Sequence, residues 1–211
     1  MRGHQLVLAS LSFTKGLTMA KQLVLIDNCV LNFLHARNVD LLAEQGNDLT
    51  FNVSDLGWLE IPKFDTDKLE AREVGEYARD QLARLQAEPV QWFTFGDLDN
   101  PSAGKGGYGE LMPDGTVKGG GYLGDLAGKI YREDPTQHKK IGGESGTKRT
   151  NSGLLRNETD VDYGEWAMNF PVVTDNGRDF KKFKNVIMIR DWGDVPFGIF
   201  IRQKLTSSIP S

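Results

Sequence analysis

The sequence predicts an α/β protein built on a parallel sheet, and three observations predict it. Leu23-Val-Leu-Ile26, Val172-Val173 and Val186-Ile-Met-Ile189 are short apolar runs without polar alternation. That pattern belongs to strands buried on both faces, the usual state of central parallel strands. Segments of helical periodicity separate the runs, and the connections on either side are short. Strand, helix, strand in that order implies parallel pairing with right-handed crossovers. The length of 211 residues is enough for one α/β domain with a real core.

The first run ends in Asp27. Val30, Leu31, Phe33 and Leu34 then recur at helical spacing, so a helix starts where the strand stops. Asp27 therefore stands at the carboxyl end of a central strand, where open α/β sheets place their ligand sites. It equally has the position of a helix cap, and this stretch alone does not choose. Residues 38–46 read as a second short helix stopped by Gly46. Residues 48–54 alternate and are rich in β formers, which predicts a strand. Ser54 or Asp55 can cap the next turn of chain, where Leu56, Leu59 and Glu60 lie close together before Pro62 disturbs any helix.

Residues 67–85 give the clearest helix, with Leu69, Val74, Tyr77, Ala78, Leu82 and Leu85 as its apolar stripe. Residues 90–95 are strongly β-prone. Residues 96–150 change character: glycines crowd together and apolar residues thin out. This stretch reads as a long insertion, part mobile and part folded. It carries a hairpin at Met112-Pro-Asp-Gly-Thr-Val117 and a short helix over 122–131. Its tail is basic: His138-Lys139-Lys140, then Lys148-Arg149. Beyond it, residues 160–168 fit a helix, 170–174 and 186–189 fit strands, and 197–205 fit a strand or short helix.

Composition excludes some classes. A formal charge of −4 leaves no global basic footprint for non-specific nucleic-acid binding, although a local patch is compatible with it. The single cysteine, Cys29, can form no internal disulfide and fits a reducing cytoplasm. No apolar run reaches the roughly 18 residues needed to span a membrane. Residues 1–18 read as an N-terminal extension, disordered or non-native, ahead of a natural start at Met19. Residues 19–211 then form a single domain with the insertion at about 96–150.

Parallel strands ending in Asp27 and in Thr174-Asp175 would bring those acids to one sheet edge. Glu60 and Asp160, with Asp162 and Glu165 nearby, lie on candidate helices. Carboxylates grouped without a cysteine or histidine set make a hard oxygen site, suited to Mg2+ or Mn2+ and not to zinc. Such crowding is repulsive until a divalent cation relieves it. Phosphodiester hydrolysis is the chemistry that such a site serves best. Acids are common in this chain, 29 in all, so grouping by chance competes with this reading.

The run Leu23-Val-Leu-Ile-Asp-Asn-Cys-Val-Leu31 resembles the opening of the PIN-domain ribonucleases. Ser54-Asp-Leu-Gly-Trp-Leu-Glu60 resembles the segment carrying that family's Glu. Asn157-Glu-Thr-Asp160-Val-Asp-Tyr-Gly-Glu-Trp-Ala167 is similar to its later helix. Pro171-Val-Val-Thr-Asp-Asn-Gly-Arg-Asp-Phe180 is similar to its last catalytic strand. The four blocks stand in the family's order and cover residues 22–95 and 151–192, but not the insertion. The resemblance implies a three-layer α/β/α sandwich, PIN-like, with a central mainly parallel sheet, and metal-dependent cleavage of RNA.

Carried over by position, Asp27, Glu60 and Asp160 match the family's acids, and Thr174 matches its hydroxyl near the metal. The fourth acid slips. The pattern Thr-x-Asp falls on Asn176, while the acid stands one residue earlier at Asp175, and Asp179 is the alternative after a one-residue insertion. Asp162 is the alternative to Asp160. The catalytic set is thus Asp27, Glu60, Asp160, Asp175 and Thr174, with Mg2+ or Mn2+ among Asp27, Asp160, Asp175, Asp162 and Asp179. Lys139, Lys140, Lys148 and Arg149 would contact RNA phosphates. Cys29 reads as a small buried hydrophobe, not a nucleophile. His4, His35 and His138 read as surface or satisfied histidines.

The expected activity is endoribonucleolytic, on single-stranded or structured RNA. The toxin of a toxin–antitoxin pair is one biological context, which implies an antitoxin or other protein partner, and a homodimer is compatible with it. The displaced fourth acid motivates a competing expectation, a PIN-like binding module without turnover.

Overall fold

The computed structural model describes residues 21–63, 66–90, 110–111, 117–118, 150–154, 157–178, 180–181 and 183–207. Strand β1 is Gln22–Ile26, and every residue after Gln22 is buried. Val24 and Ile26 pack in one apolar cluster; Leu23 and Leu25 pack in another. Side chains alternate across a strand. Both faces of β1 are therefore covered, which is why its sequence shows no alternation.

Helix α1, Asn28–Ala36, follows at once and buries Val30, Leu31 and Leu34. Helix α2, Leu41–Gln45, is capped by Asp40, whose carboxylate accepts from the N–H groups of Leu42 and Ala43. It stops at Gly46, whose φ of 59° lies in the region that favours glycine. Strand β2 is Leu49–Asn52. Helix α3, Asp55–Glu60, is capped by Ser54, whose Oγ accepts from Gly57 N–H at 3.0 Å, and it ends before Pro62. Of the two caps open in the sequence, Ser54 is the one used.

Helix α4, Leu69–Arg84, buries Val74, Ala78 and Leu82 as the stripe predicts. Leu69 is an exception. It starts the helix and is 58% exposed. Val90 forms a parallel bridge with Ser54, accepting from Asp55 N–H and donating to the Val53 carbonyl. The β-prone segment thus begins pairing on the outer side of β2, and residues 91–95 lie outside the described residues.

The predicted hairpin is present as strands β3, Glu110–Leu111, and β4, Val117–Lys118, paired antiparallel. The expected helix over 122–131, the basic residues Lys139, Lys140, Lys148 and Arg149, and Asp179 lie outside the described residues.

Helix α5, Glu158–Trp166, leads to strand β5, Val172–Thr174, which is buried throughout. Strand β6, Val186–Met188, runs into a 3-10 turn at Ile189–Asp191. The last apolar segment is helix α6, Phe197–Ser207. Its buried Phe197, Phe200 and Ile201 follow helical spacing, which resolves the ambiguity left by a short apolar run.

Four of the six described strands form one parallel sheet in the order β2-β1-β5-β6. From β1 the chain steps to β2 on one side, while β5 and β6 lie on the other. The order therefore reverses between β1 and β5. Crevices for ligands open at the carboxyl ends of strands at such a reversal. No helix among the described residues is long and apolar enough to cross a membrane.

Candidate functional site at the sheet reversal

Asp27 stands at this reversal, one residue past β1, with only 7% of its surface exposed. It holds the N-cap position of α1, yet its side chain makes no cap hydrogen bond. Its carboxylate turns instead toward the neighbouring strand end. Thr174 Oγ donates to Asp27 Oδ2 at 2.6 Å, and Cys29 Sγ donates to the same oxygen at 3.1 Å. The pairing of Ile26 with Val173 sets these groups side by side. Burial raises the Asp27 pKa above its ordinary value; the Thr174 hydroxyl and the Cys29 thiol oppose that rise.

Glu60, the last residue of α3, comes in from the β2 side. Asn28 bridges to it: its Nδ2 donates to Gly57 O at 2.9 Å and to Glu60 Oε2 at 3.4 Å. Burial raises the Glu60 pKa, and the charges of Asp160 and Asp27 raise it further, against hydrogen bonding from Thr159 and Asn28. Carboxylates that perturb one another in this way share one electrostatic neighbourhood. Asp160, on the first turn of α5, completes the group. Asn176 Nδ2 donates to Asp160 Oδ1 at 3.3 Å, and Asn176 N–H donates to Thr174 Oγ at 2.9 Å. A line of hydrogen bonds thus runs from Asp160 through Asn176 and Thr174 to Asp27.

Tyr163 fixes α5 against the strand ends. Its hydroxyl donates to the Ile26 carbonyl at 2.7 Å and accepts from Ser54 N–H at 3.4 Å. Full burial, with Asp27 nearby, raises the phenol pKa well above its ordinary value, so it stays a donor. Gly57 makes room for it. A Cβ at Gly57 would stand 2.2 Å from the Tyr163 oxygen.

The remaining predicted residues are placed differently. The Asp175 carboxylate faces Arg190, whose Nη2 donates to Oδ2 at 2.9 Å while Nε donates to Oδ1. Asp175 meets the site only through its backbone, donating N–H to Cys29 Sγ at 3.2 Å. Asp162 is buried about 200° around α5 from Asp160, so it serves the opposite face. Cys29 is half-buried and hydrogen-bonded, more than the plain hydrophobe its sequence suggests. Burial and the Asp27 charge push its thiol up to about 12, which keeps it protonated and unreactive.

No family model, curated protein or solved structure matches the chain. What the site can do rests on its own geometry and on the sequence resemblance.

Among the described residues, no three His, Cys, Asp or Glu side chains stand together as a ready-made metal cage. The donor chemistry nevertheless fits a hard divalent cation. Asp27, Glu60 and Asp160 offer carboxylate oxygens. Asn28 Oδ1 is a buried oxygen with no hydrogen-bond partner among the described residues, and a buried orphan acceptor is costly unless something satisfies it. No described ion pair neutralises Asp27 or Glu60.

Asn28, Tyr163 and Arg190 were not among the residues singled out from sequence, and Asn176 stood out only as the amide on which the resembled acid position falls. Arg190 had a readable signal, since it follows the 186–189 run much as Asp27 follows β1. The amides had only their adjacency to strand-end acids. Tyr163 had none beyond lying three residues from Asp160 on a helix.

Proposed function

We propose that this chain is a Mg2+- or Mn2+-dependent endoribonuclease of PIN-like architecture. Its sheet would be the middle layer of an α/β/α sandwich. The two apolar clusters support that layering, one containing α1, α2, α4 and α6 residues and the other Tyr163 and Trp166 of α5. The observation that carries the function is the shared electrostatic neighbourhood of Asp27, Glu60 and Asp160 at the sheet reversal, with no described ion pair on Asp27 or Glu60.

In this reading Asp27, Glu60 and Asp160 hold the cation. Bound there, it supplies charge neutralisation for the phosphodiester and acidification of water. Thr174 and Cys29 fix the Asp27 carboxylate in one orientation by donating to a single oxygen. Asn176 does the same for Asp160. Asn28 does so for Glu60, donating from its amide to Oε2. A toxin–antitoxin context and a protein partner belong to the same proposal and rest on the resemblance, and a cytoplasmic setting belongs to it and rests on the single cysteine.

The test is cleavage of single-stranded RNA with Mn2+ by wild type and by Asp27→Asn. Loss of cleavage in the variant is expected, and equal activity would overturn the mechanism. One observation favours a second reading, a metal- or RNA-binding module without turnover. Asn176 places a neutral amide where the resembled family has its fourth acid. Calorimetry with Mn2+ separates the two: binding without cleavage by the wild type selects the module.

A further inference from the structure

Arg190 lies on the same sheet edge as the acids, one strand further along. Thr174 pairs with Met188 in the β5–β6 ladder, so the 3-10 turn carrying Arg190 rises beside Asp175 and Asn176. Its side chain is 72% exposed, whereas that of its Asp175 partner is only 20% exposed. Asp175 grips it through two parallel hydrogen bonds, which leaves the outer edge of the fork open to solvent. The backbone of Asp175 in turn hangs on Cys29, and Cys29 on Asp27. The orientation of Arg190 relative to the carboxylate group is therefore set by a short chain of bonds.

We propose that Arg190 is the residue that binds the nucleic-acid backbone phosphate beside the acidic site, with Asp175 as its counterion until the phosphate arrives. The proposal rests on the nuclease reading above. A phosphodiester approaching Asp27, Glu60 and Asp160 meets three carboxylates, and a fixed positive charge at the rim offsets that repulsion. Guanidinium suits the task because its planar fork matches two phosphate oxygens as it matches two carboxylate oxygens. Exposed ion pairs are weakly held, so exchanging Asp175 for phosphate, or adding phosphate on the open edge, costs little. Asp175 keeps the long side chain extended in the meantime.

The test uses a fluorescein-labelled single-stranded RNA dodecamer, with Ca2+ replacing Mn2+ so that the strand stays whole. Binding is followed by anisotropy over a range of salt. Arg190→Ala is expected to weaken binding by about tenfold or more and to lower the salt slope by about 0.7, the loss of one phosphate contact. Arg190→Lys should restore the slope but not the full affinity. Asp175→Ala should bind RNA at least as tightly as wild type. Mn2+ affinity by calorimetry should not change in Arg190→Ala.

Unchanged affinity and slope in Arg190→Ala would overturn the proposal, as would equal weakening in Asp175→Ala, since the pair would then be only a brace. In either case cleavage of single-stranded RNA with Mn2+ by wild type and by Asp27→Asn shows whether the nuclease reading survives. A wild-type chain that binds neither RNA nor Mn2+ would overturn both.

Discussion

Asp27 is a costly residue to bury, and its cost has a measurable sign. Its pKa is higher in the folded chain than the ordinary 3.8. The folded state therefore holds the proton more tightly than the unfolded one. The stability tied to that proton is complete below the ordinary value and is lost as pH rises through the folded value. Asp27→Asn removes that loss. The variant should melt higher than wild type at pH 7, at about 2–4 °C for each kcal/mol in a chain of this size. The gain should shrink toward zero in acid, as calorimetric melts at pH 3 and pH 7 would show. Site residues that carry function at the expense of stability behave in this way.

Thr174 gives a second reading of the same carboxylate. Its hydroxyl favours the ionised form of Asp27. Thr174→Val keeps the shape and deletes the donor, so the Asp27 pKa should rise further. The acid limb of the pH–rate profile should then move to higher pH. A limb that stays in place would show that another group controls it.

At the scale of elements, the site depends on α3 and α5 being locked to the ends of β1 and β2. Ser54 caps α3, Gly57 admits Tyr163, and Tyr163 reaches the last carbonyl of β1. Gly57→Ala forces a methyl group against the phenol oxygen and should destabilise by about 1–3 kcal/mol, the usual range for overpacking. Ser54→Ala should cost about 1 kcal/mol for the lost cap. Urea melts measure both. If the lock positions Glu60 and Asp160, Gly57→Ala should also weaken Mn2+ binding at temperatures where it is still folded, whereas a substitution at the exposed Leu69 should not.

At the scale of the whole molecule, a ligand that binds only the folded chain stabilises it by mass action. Mn2+ at 100 times its Kd should add about 2.7 kcal/mol to unfolding stability, and chelation should remove it. Asp27→Asn should lose this response while remaining folded. The comparison distinguishes a cation held at the sheet reversal from one bound loosely to the acidic surface, because a surface effect would persist in the variant.

The fold was largely legible along the chain. Buried parallel strands lack alternation, and Leu23 to Ile26 and Val172 to Thr174 announce themselves by it. Helix stops at Gly46 and before Pro62 follow from local backbone chemistry. The strand-end rule also located Asp27, Thr174 and Asp175 from sequence, because a residue just past a central parallel strand has few other places to be. Local pattern could not say where each side chain turns. Asp27 had the position of a cap and makes no cap bond, because its carboxylate is taken by Thr174 at the adjoining strand end and by the Cys29 thiol in the first turn of α1. Asp175 and Asn176 are neighbours in sequence, yet one faces Arg190 and the other Asp160. Successive residues leaving a strand point in different directions, and their partners come from the 3-10 turn after β6 and from α5, which only the packed sheet brings near. The sequence by itself determined the parallel α/β framework and the edge at which its acids gather. The tertiary structure decided which partner each carboxylate meets and which is already ion-paired, because those contacts join elements that lie far apart along the chain.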